Sequence, residues 1–167
     1  MNVNRTELTP LLFLERSENV YASRIGAAYG KRRFTFAELG ARVRRLATAL
    51  RRAGLRPGDC VAFLAPNVPA MLEAHFGVAL AGGVLVAINT RLNAEEIAYI
   101  LKHSGSRFFF VDPELAQNVA PAKASLGRIE RIVTIDDPEF APGLPRVFDG
   151  PEYESFIDVP PDASLPF

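Results

Sequence analysis

The chain is poor in cysteine and histidine, and neither sign of charge dominates it. Its one cysteine, Cys60, excludes an intramolecular disulfide and a cysteine-rich metal site. Cys60 opens an apolar run, so a buried, inert thiol is expected. The two histidines, His75 and His103, have no metal-ligand spacing. Nineteen basic residues balance nineteen acidic ones, for a formal net charge of zero. That balance gives no electrostatic reason to expect nucleic acid or an anionic membrane as a partner. The clusters Lys31-Arg32-Arg33 and Arg42/Arg44/Arg45 read as solvated faces. Long apolar runs are missing as well: the longest uncharged one, Phe76 to Ile88, is too short to span a bilayer and contains Gly77, Gly82 and Gly83. The N-terminal group Leu11-Leu12-Phe13-Leu14 is closed at once by Glu15 and Arg16, unlike a secretory leader. A cytoplasmic protein without a transmembrane segment is expected.

Several catalytic signatures are also missing. No glycine-rich loop with a neighbouring Lys, Ser or Thr is available to grip a phosphate. Ala81-Gly82-Gly83-Val84 has no polar partner and leads into a strand. There is no G-x-G-x-x-G fingerprint and no G-x-S-x-G elbow. Asp136-Asp137 reads as a solvated turn rather than a catalytic dyad, because adjacent side chains point apart.

What is present describes one globular α/β domain. Hydrophobic residues make up 49% and charged residues 23% of 167, enough to build a core and inconsistent with disorder. Thr9-Pro10 reads as a helix start with a capping hydroxyl and proline at the first helical position, the helix running to about Asn19. Two short β-like runs, Ile25–Tyr29 and Arg33–Thr35, flank Gly30-Lys31 and predict a hairpin. Thr35-Phe36-Ala37-Glu38 fits a capping box, and the helix it opens places Leu39, Val43, Leu46 and Leu50 on one face. Gly54 closes that helix.

Pro57-Gly58-Asp59 makes a turn, and Cys60–Ala65 is a continuous apolar run of the kind found in parallel strands covered on both faces. A helix follows to about Ala81, then a second buried strand over Val84–Ile88. Asn93 is expected to cap a helix whose buried side comprises Ile97, Ile100, Leu101 and Tyr99. Phe108–Val111 is a third strand, Pro113 opens a weaker helix interrupted by Pro121, and Ile129–Ile135 is a fourth strand. This alternation implies right-handed crossovers and a largely parallel sheet with flanking helices. After Asp136 the prolines at 138, 142, 145, 151, 160, 161 and 166 exclude long regular elements. Tyr153–Phe156 could hold one helical turn. The chain thus divides into an α/β part over residues 1–135 and a proline-rich irregular part over 136–167.

Three residues carry functional candidacies. Arg91 follows a strand end in Asn89-Thr90-Arg91-Leu92, and in open parallel sheets the strand ends face the ligand crevice. Pairing to Glu95 or Glu96 is its structural alternative. Asn89 shares that loop. His75, in a helix with Met71, Leu72, Phe76, Val78 and Ala79, is either a hydrogen-bonded histidine at the core edge or a polar group beside an acyl pocket.

An ordered set of segments resembles the N-terminal region of the adenylate-forming superfamily, which comprises acyl-CoA and aryl-CoA synthetases, luciferases and peptide-synthetase adenylation domains. The segments are Phe34-Thr35-Phe36-Ala37-Glu38-Leu39, Leu46-Ala47-Thr48-Ala49-Leu50, Gly54-Leu55-Arg56-Pro57-Gly58-Asp59, Ala65-Pro66-Asn67-Val68-Pro69, Ala81-Gly82-Gly83 and Ile88-Asn89-Thr90-Arg91-Leu92. Leu8-Thr9-Pro10-Leu11, Phe13-Leu14-Glu15-Arg16 and Glu73-Ala74-His75-Phe76 are similar to the medium-chain fatty acyl-CoA synthetase and related acyl-activating branch.

The resemblance implies the first subdomain of the adenylate-forming fold. It also implies a two-step reaction: carboxylate plus ATP gives an acyl-adenylate, and coenzyme A then gives a thioester. ATP, Mg2+ and coenzyme A are implied cofactors of the longer enzyme. Its Ser/Thr/Gly-rich phosphate loop, ribose aspartate and catalytic lysine have no counterpart in these 167 residues, so no catalytic residue is assigned. No tight cofactor binding and no activity are expected of this chain alone. The Pro160-Pro161-Asp162-Ala163-Ser164 tail resembles the approach to the phosphate loop. By resemblance, Arg91 lies near the entrance for the coenzyme A nucleotide, where a guanidinium pairs with phosphate. The implied partners are the rest of the catalytic domain, a small carboxylate and, through exposed apolar surface, a second copy. Two alternatives stay open. One is a non-catalytic interaction module with the same fold. The other is a flavodoxin-like or receiver-type domain, which fits the alternation but lacks a flavin loop or an acidic strand-end cluster.

Overall fold

The structure is a computed structural model; it describes residues 8–162 and 165. Ala163 and Ser164, quoted above for the tail, lie outside the described residues. The N-terminal helix α1 spans Pro10–Tyr21. Thr9 is its N-cap, but the expected hydroxyl cap is not formed. The Thr9 carbonyl takes the Leu12 N–H instead, at 3.2 Å. Strands β1 (Ile25–Tyr29) and β2 (Arg32–Thr35) form the predicted antiparallel hairpin. Helix α2 (Phe36–Arg52) starts in a complete capping box between Thr35 and Glu38. Leu39, Val43, Leu46 and Leu50 all face the core, as their spacing predicts.

Four parallel strands follow: β3 (Cys60–Leu64), β4 (Val84–Ala87), β5 (Phe108–Val111) and β6 (Arg131–Thr134), in the order β4-β3-β5-β6. The connecting helices are α3 (Pro69–Leu80), α4 (Ala94–Ser104) and α5 (Pro113–Val119), the last continuing into a 3-10 turn at Ala120–Ser125. Asn93 and Glu96 form a second capping box, and Gly105, at φ 62°, ends α4 in the left-handed region that favours glycine.

Strand pleating divides the core in two. Val61, Phe63, Phe108 and Phe110 join α1, α2 and α3 on one face. Ala62, Leu64, Phe109 and Val111 join α4 and α5 on the other. The rings of Phe63 and Phe110 stack across neighbouring strands with centroids 4.3 Å apart. Each such ring is worth about 1.5–3 kcal/mol of burial. The close seam between α2 and α3 rests on Gly77, where a Cβ would lie 2.8 Å from Leu46 Cδ2.

Four expectations are corrected. β4 is not a buried strand: it forms one edge of the sheet, and Val84 is 51% exposed. Tyr99 is 65% exposed, on the solvent side of α4 opposite Ile97 and Leu101. Cys60 is only half-buried, because it stands at the rim where β3 begins. Arg42 and Arg44 are not freely solvated; both are held in ion pairs across helices. The segment after β6 has little regular structure beyond the turn α6 (Tyr153–Phe156), yet Phe148, Tyr153 and Ile157 are buried against the core.

Candidate functional site

Placement of β4 on one side of β3 and of β5 on the other reverses the winding at β3. The crevice such a reversal opens lies at the carboxyl ends of the strands. Four loops meet that edge. They follow Leu64, Ala87, Val111 and Thr134, and they supply Asn67, Asn89, Asp112, Asp136 and Asp137.

On the β5–β6 side the loops and the proline-rich segment enclose a cleft of about 540 Å³, a size that suits a small molecule. Pro113, Pro138 and Pro142 give it apolar walls, and Arg32, Asp136, Asp137 and Glu154 are among its polar groups. Asp137 is buried, contrary to the solvated turn expected of Asp136-Asp137. It accepts from the Tyr29 hydroxyl and from the backbone N–H groups of Glu139 (3.2 Å) and Phe140 (3.3 Å). Burial, and then the Asp137 carboxylate, push the Tyr29 phenol up to about 12. The hairpin tip is clamped to the same loop. Lys31 N–H donates to Glu139 at 2.8 Å, and the tip turns on Gly30 (φ 52°), where any side chain would collide with that carboxylate. Asp112, also buried, caps α5 through Glu114 N–H at 2.9 Å. Burial raises its carboxyl pKa more than these backbone bonds lower it.

Next to the cleft lies a buried ionic knot that local sequence patterns do not disclose. Glu73 on α3 is 1% exposed. It accepts from Arg42 Nε on α2 and from the Tyr153 hydroxyl on α6, each at 2.6 Å. Arg42 then forks onto Glu154 at 2.9 and 2.7 Å. Burial raises the Glu73 carboxyl above its usual value, with Arg42 and Tyr153 pulling the other way. Burial also lowers the Arg42 guanidinium, but its bonds to Glu154 and Glu73 outweigh that and leave it raised. The one signal available beforehand was a carboxylate on an otherwise apolar helix face, which stays buried only if paired.

The sequence candidates do not converge on this cleft. Asn89 Oδ1 accepts from Arg91 N–H at 3.0 Å and so shapes the loop after β4. Arg91 is exposed and makes no ion pair among the described residues, so the pairing to Glu95 or Glu96 does not form. Its loop is three strand positions from that after β6, about 14 Å along the edge. His75 sits on the exposed side of α3 and donates through Nδ1 to the Met71 carbonyl at 2.7 Å.

The nucleotide and magnesium implied by the resemblance do not fit these residues. Four carboxylates and one arginine line the cleft, and no lysine or glycine-rich loop among its lining residues grips a phosphate. Among the described residues, no three His, Cys, Asp or Glu side chains are grouped to hold a metal.

Comparison with known proteins follows the fold. The family model described as AMP-binding enzyme matches residues 14–164. An acetate/butyrate–CoA ligase of Arabidopsis thaliana, peroxisomal by name, is 48% identical over 111 residues, 66% of this chain and 20% of that protein. The 4-hydroxybutyrate–CoA ligase 2 of Metallosphaera sedula is 39% identical over 132 residues, 79% of this chain and 24% of its own length. In crystal structure, a benzoate CoA ligase from Burkholderia xenovorans superposes with a TM-score of 0.76 at 27% identity, over 93% of this chain and 29% of that one. The chain therefore spans about a fifth to a quarter of the length of these curated relatives.

Proposed function

The chain belongs to the AMP-binding enzyme family, and from that premise we propose that it is the N-terminal α/β part of an ATP-dependent acyl-CoA synthetase. The observation that carries this reading is the family match over residues 14–164, together with a parallel sheet in the order β4-β3-β5-β6. The proposed reaction joins a carboxylic acid to coenzyme A, with ATP and Mg2+ as co-reactants. A fatty or related acid is the proposed substrate class, and the relatives named for acetate, butyrate and 4-hydroxybutyrate support its short end. The split into an α/β part over 1–135 and a connecting part over 136–167 belongs to the same proposal, as does a cytoplasmic location, on which the peroxisomal relatives bear differently.

Alone, the 167 residues are proposed to be inactive. Supporting this, the sequence holds no phosphate-gripping loop and the strand-end cleft is acidic. The residues named earlier take modest roles: Arg91 as a coenzyme A phosphate contact, Asn89 as the shaper of its loop, His75 as a polar group near an acyl site. The exposed, unpaired guanidinium of Arg91 supports the first.

The test is a chimera in which residues 14–164 replace the matching segment of an active relative. Adenylate formation and thioester formation by the chimera support the reading, and a folded but inert chimera sinks it. In the active chimera, Arg91→Ala should raise the KM for coenzyme A several-fold and leave adenylate formation unchanged. Unaltered thioester kinetics remove the role for Arg91. Pyrophosphate release by the isolated chain, given ATP and a panel of carboxylates, would refute its inactivity.

A further inference from the structure

Zero net charge conceals a separation of charge along the strand axis. Carboxylates predominate in the cleft at the strand ends. At the opposite end, where β3, β5 and β6 begin, a second cleft of about 760 Å³ is lined by Arg56, Lys102, Arg107 and Arg128 together with Asp59 and Glu130. Four cations against two carboxylates leave two positive charges in excess. Both carboxylates are already engaged. Arg107 forks onto Glu130 at 2.8 and 2.6 Å and bonds Asp59 through Nη1. The Arg56 backbone N–H holds Asp59 at 2.7 Å and is the main cause of its lowered pKa, and Arg107 is the main cause of that of Glu130. The side chains of Lys102 and Arg128 make no hydrogen bond or ion pair among the described residues. Gly105 and Gly127 complete the wall without side chains, both at positive φ.

We propose that this cleft binds a small oligophosphate anion, of two or three linked phosphates, through Lys102, Arg128 and the Arg56 guanidinium. Arg107 hydrogen-bonds both carboxylates, so this triad keeps one net negative charge, against the three cations Lys102, Arg128 and Arg56. Long, unpaired cationic side chains at the rim can fold inward onto phosphate oxygens. Concavity favours a small ligand over a flat surface. The lining has no aromatic ring to stack a base, so recognition is by charge and not by a nucleobase. This site lies on the end of the sheet away from the strand-end crevice and is independent of the ligase reading.

The experiment titrates the chain with sodium tripolyphosphate by calorimetry at low ionic strength, with anionic phospholipid vesicles as a second arm. Saturable one-to-one binding that weakens in physiological salt is expected. Lys102 also stands in the last turn of α4, where a cation favours the helix. Arg128 lies in a loop and is the cleaner variant. Arg128→Ala should weaken binding several-fold and the Lys102→Ala/Arg128→Ala pair about tenfold or more, with circular dichroism unchanged. Lys31→Ala, at the opposite end, should bind as the parent does. Absence of saturable binding at low salt, equal affinity in the double variant, or binding to vesicles without binding to tripolyphosphate each overturns the proposal.

Discussion

Glu73→Ala should be among the most damaging single changes in this chain. The carboxylate is buried and accepts two short bonds, from Arg42 and from Tyr153. Truncation leaves the buried Tyr153 hydroxyl without a partner, at a cost of about 1–3 kcal/mol. It also opens a cavity and strips Arg42 of its buried partner, although Arg42 retains Glu154 at the surface. Breaking a buried ion pair from one side typically costs about 3–5 kcal/mol, a large share of the roughly 5–15 kcal/mol that holds a domain together. With a urea m-value of about 2 kcal/mol per molar, the midpoint should fall by about 1.5–2.5 M. Glu73→Gln keeps the shape and Tyr153→Phe removes only one donor, so each should cost about 1–2 kcal/mol. In the Glu73→Ala/Tyr153→Phe double variant the penalties should be less than additive by about 1 kcal/mol, because both remove the same bond. A loss below about 1 kcal/mol for Glu73→Ala, or strict additivity, would refute the view that this knot fastens α6 to α2 and α3.

Two other outcomes follow from the same contacts. Tyr29, raised to about 12 from 10.0, contributes stability that is intact below its unfolded pKa and lost as pH climbs through the folded value; tyrosinate absorbance should therefore appear late, and Tyr29→Phe should remove its share while leaving that of Tyr153. Gly150→Ala would place a Cβ 2.1 Å from the Ile132 carbonyl oxygen, prying the backbone off β6 and straining the bond from Thr134 N–H to the Pro151 carbonyl; a loss of about 1–3 kcal/mol should lower Tm by about 2–4 °C per kcal/mol, and an unchanged Tm would show that this approach is not needed.

Much of the scaffold was legible because its signals are local. The Thr35 and Asn93 caps, the Gly54 and Gly105 stops and the apolar runs of β3 and β5 each depend on a few neighbouring residues. Local patterns mislead where burial depends on distant parts of the chain. Val84–Ile88 reads like an interior strand, but only strand order reveals that it is an edge. Arg42 reads like one of a row of surface cations, but its partners lie 31 and 112 residues away. Asp137 reads like a solvated turn, but Tyr29, 108 residues earlier, closes over it. The loop holding Asn89 and Arg91 follows β4 at the carboxyl edge of the sheet. His75 proved to be a surface residue of α3.

The sequence alone determined the family, the alternation of strands and helices, and the absence of a phosphate-gripping loop, because periodicity, caps and ordered motifs are written in neighbouring residues. Only the tertiary structure decided that β4 is an edge, that Glu73 and Asp137 are buried, and that a neutral chain carries acid at one end of its sheet and base at the other. Those properties depend on strand order and on contacts between residues far apart in the chain, which no local pattern encodes.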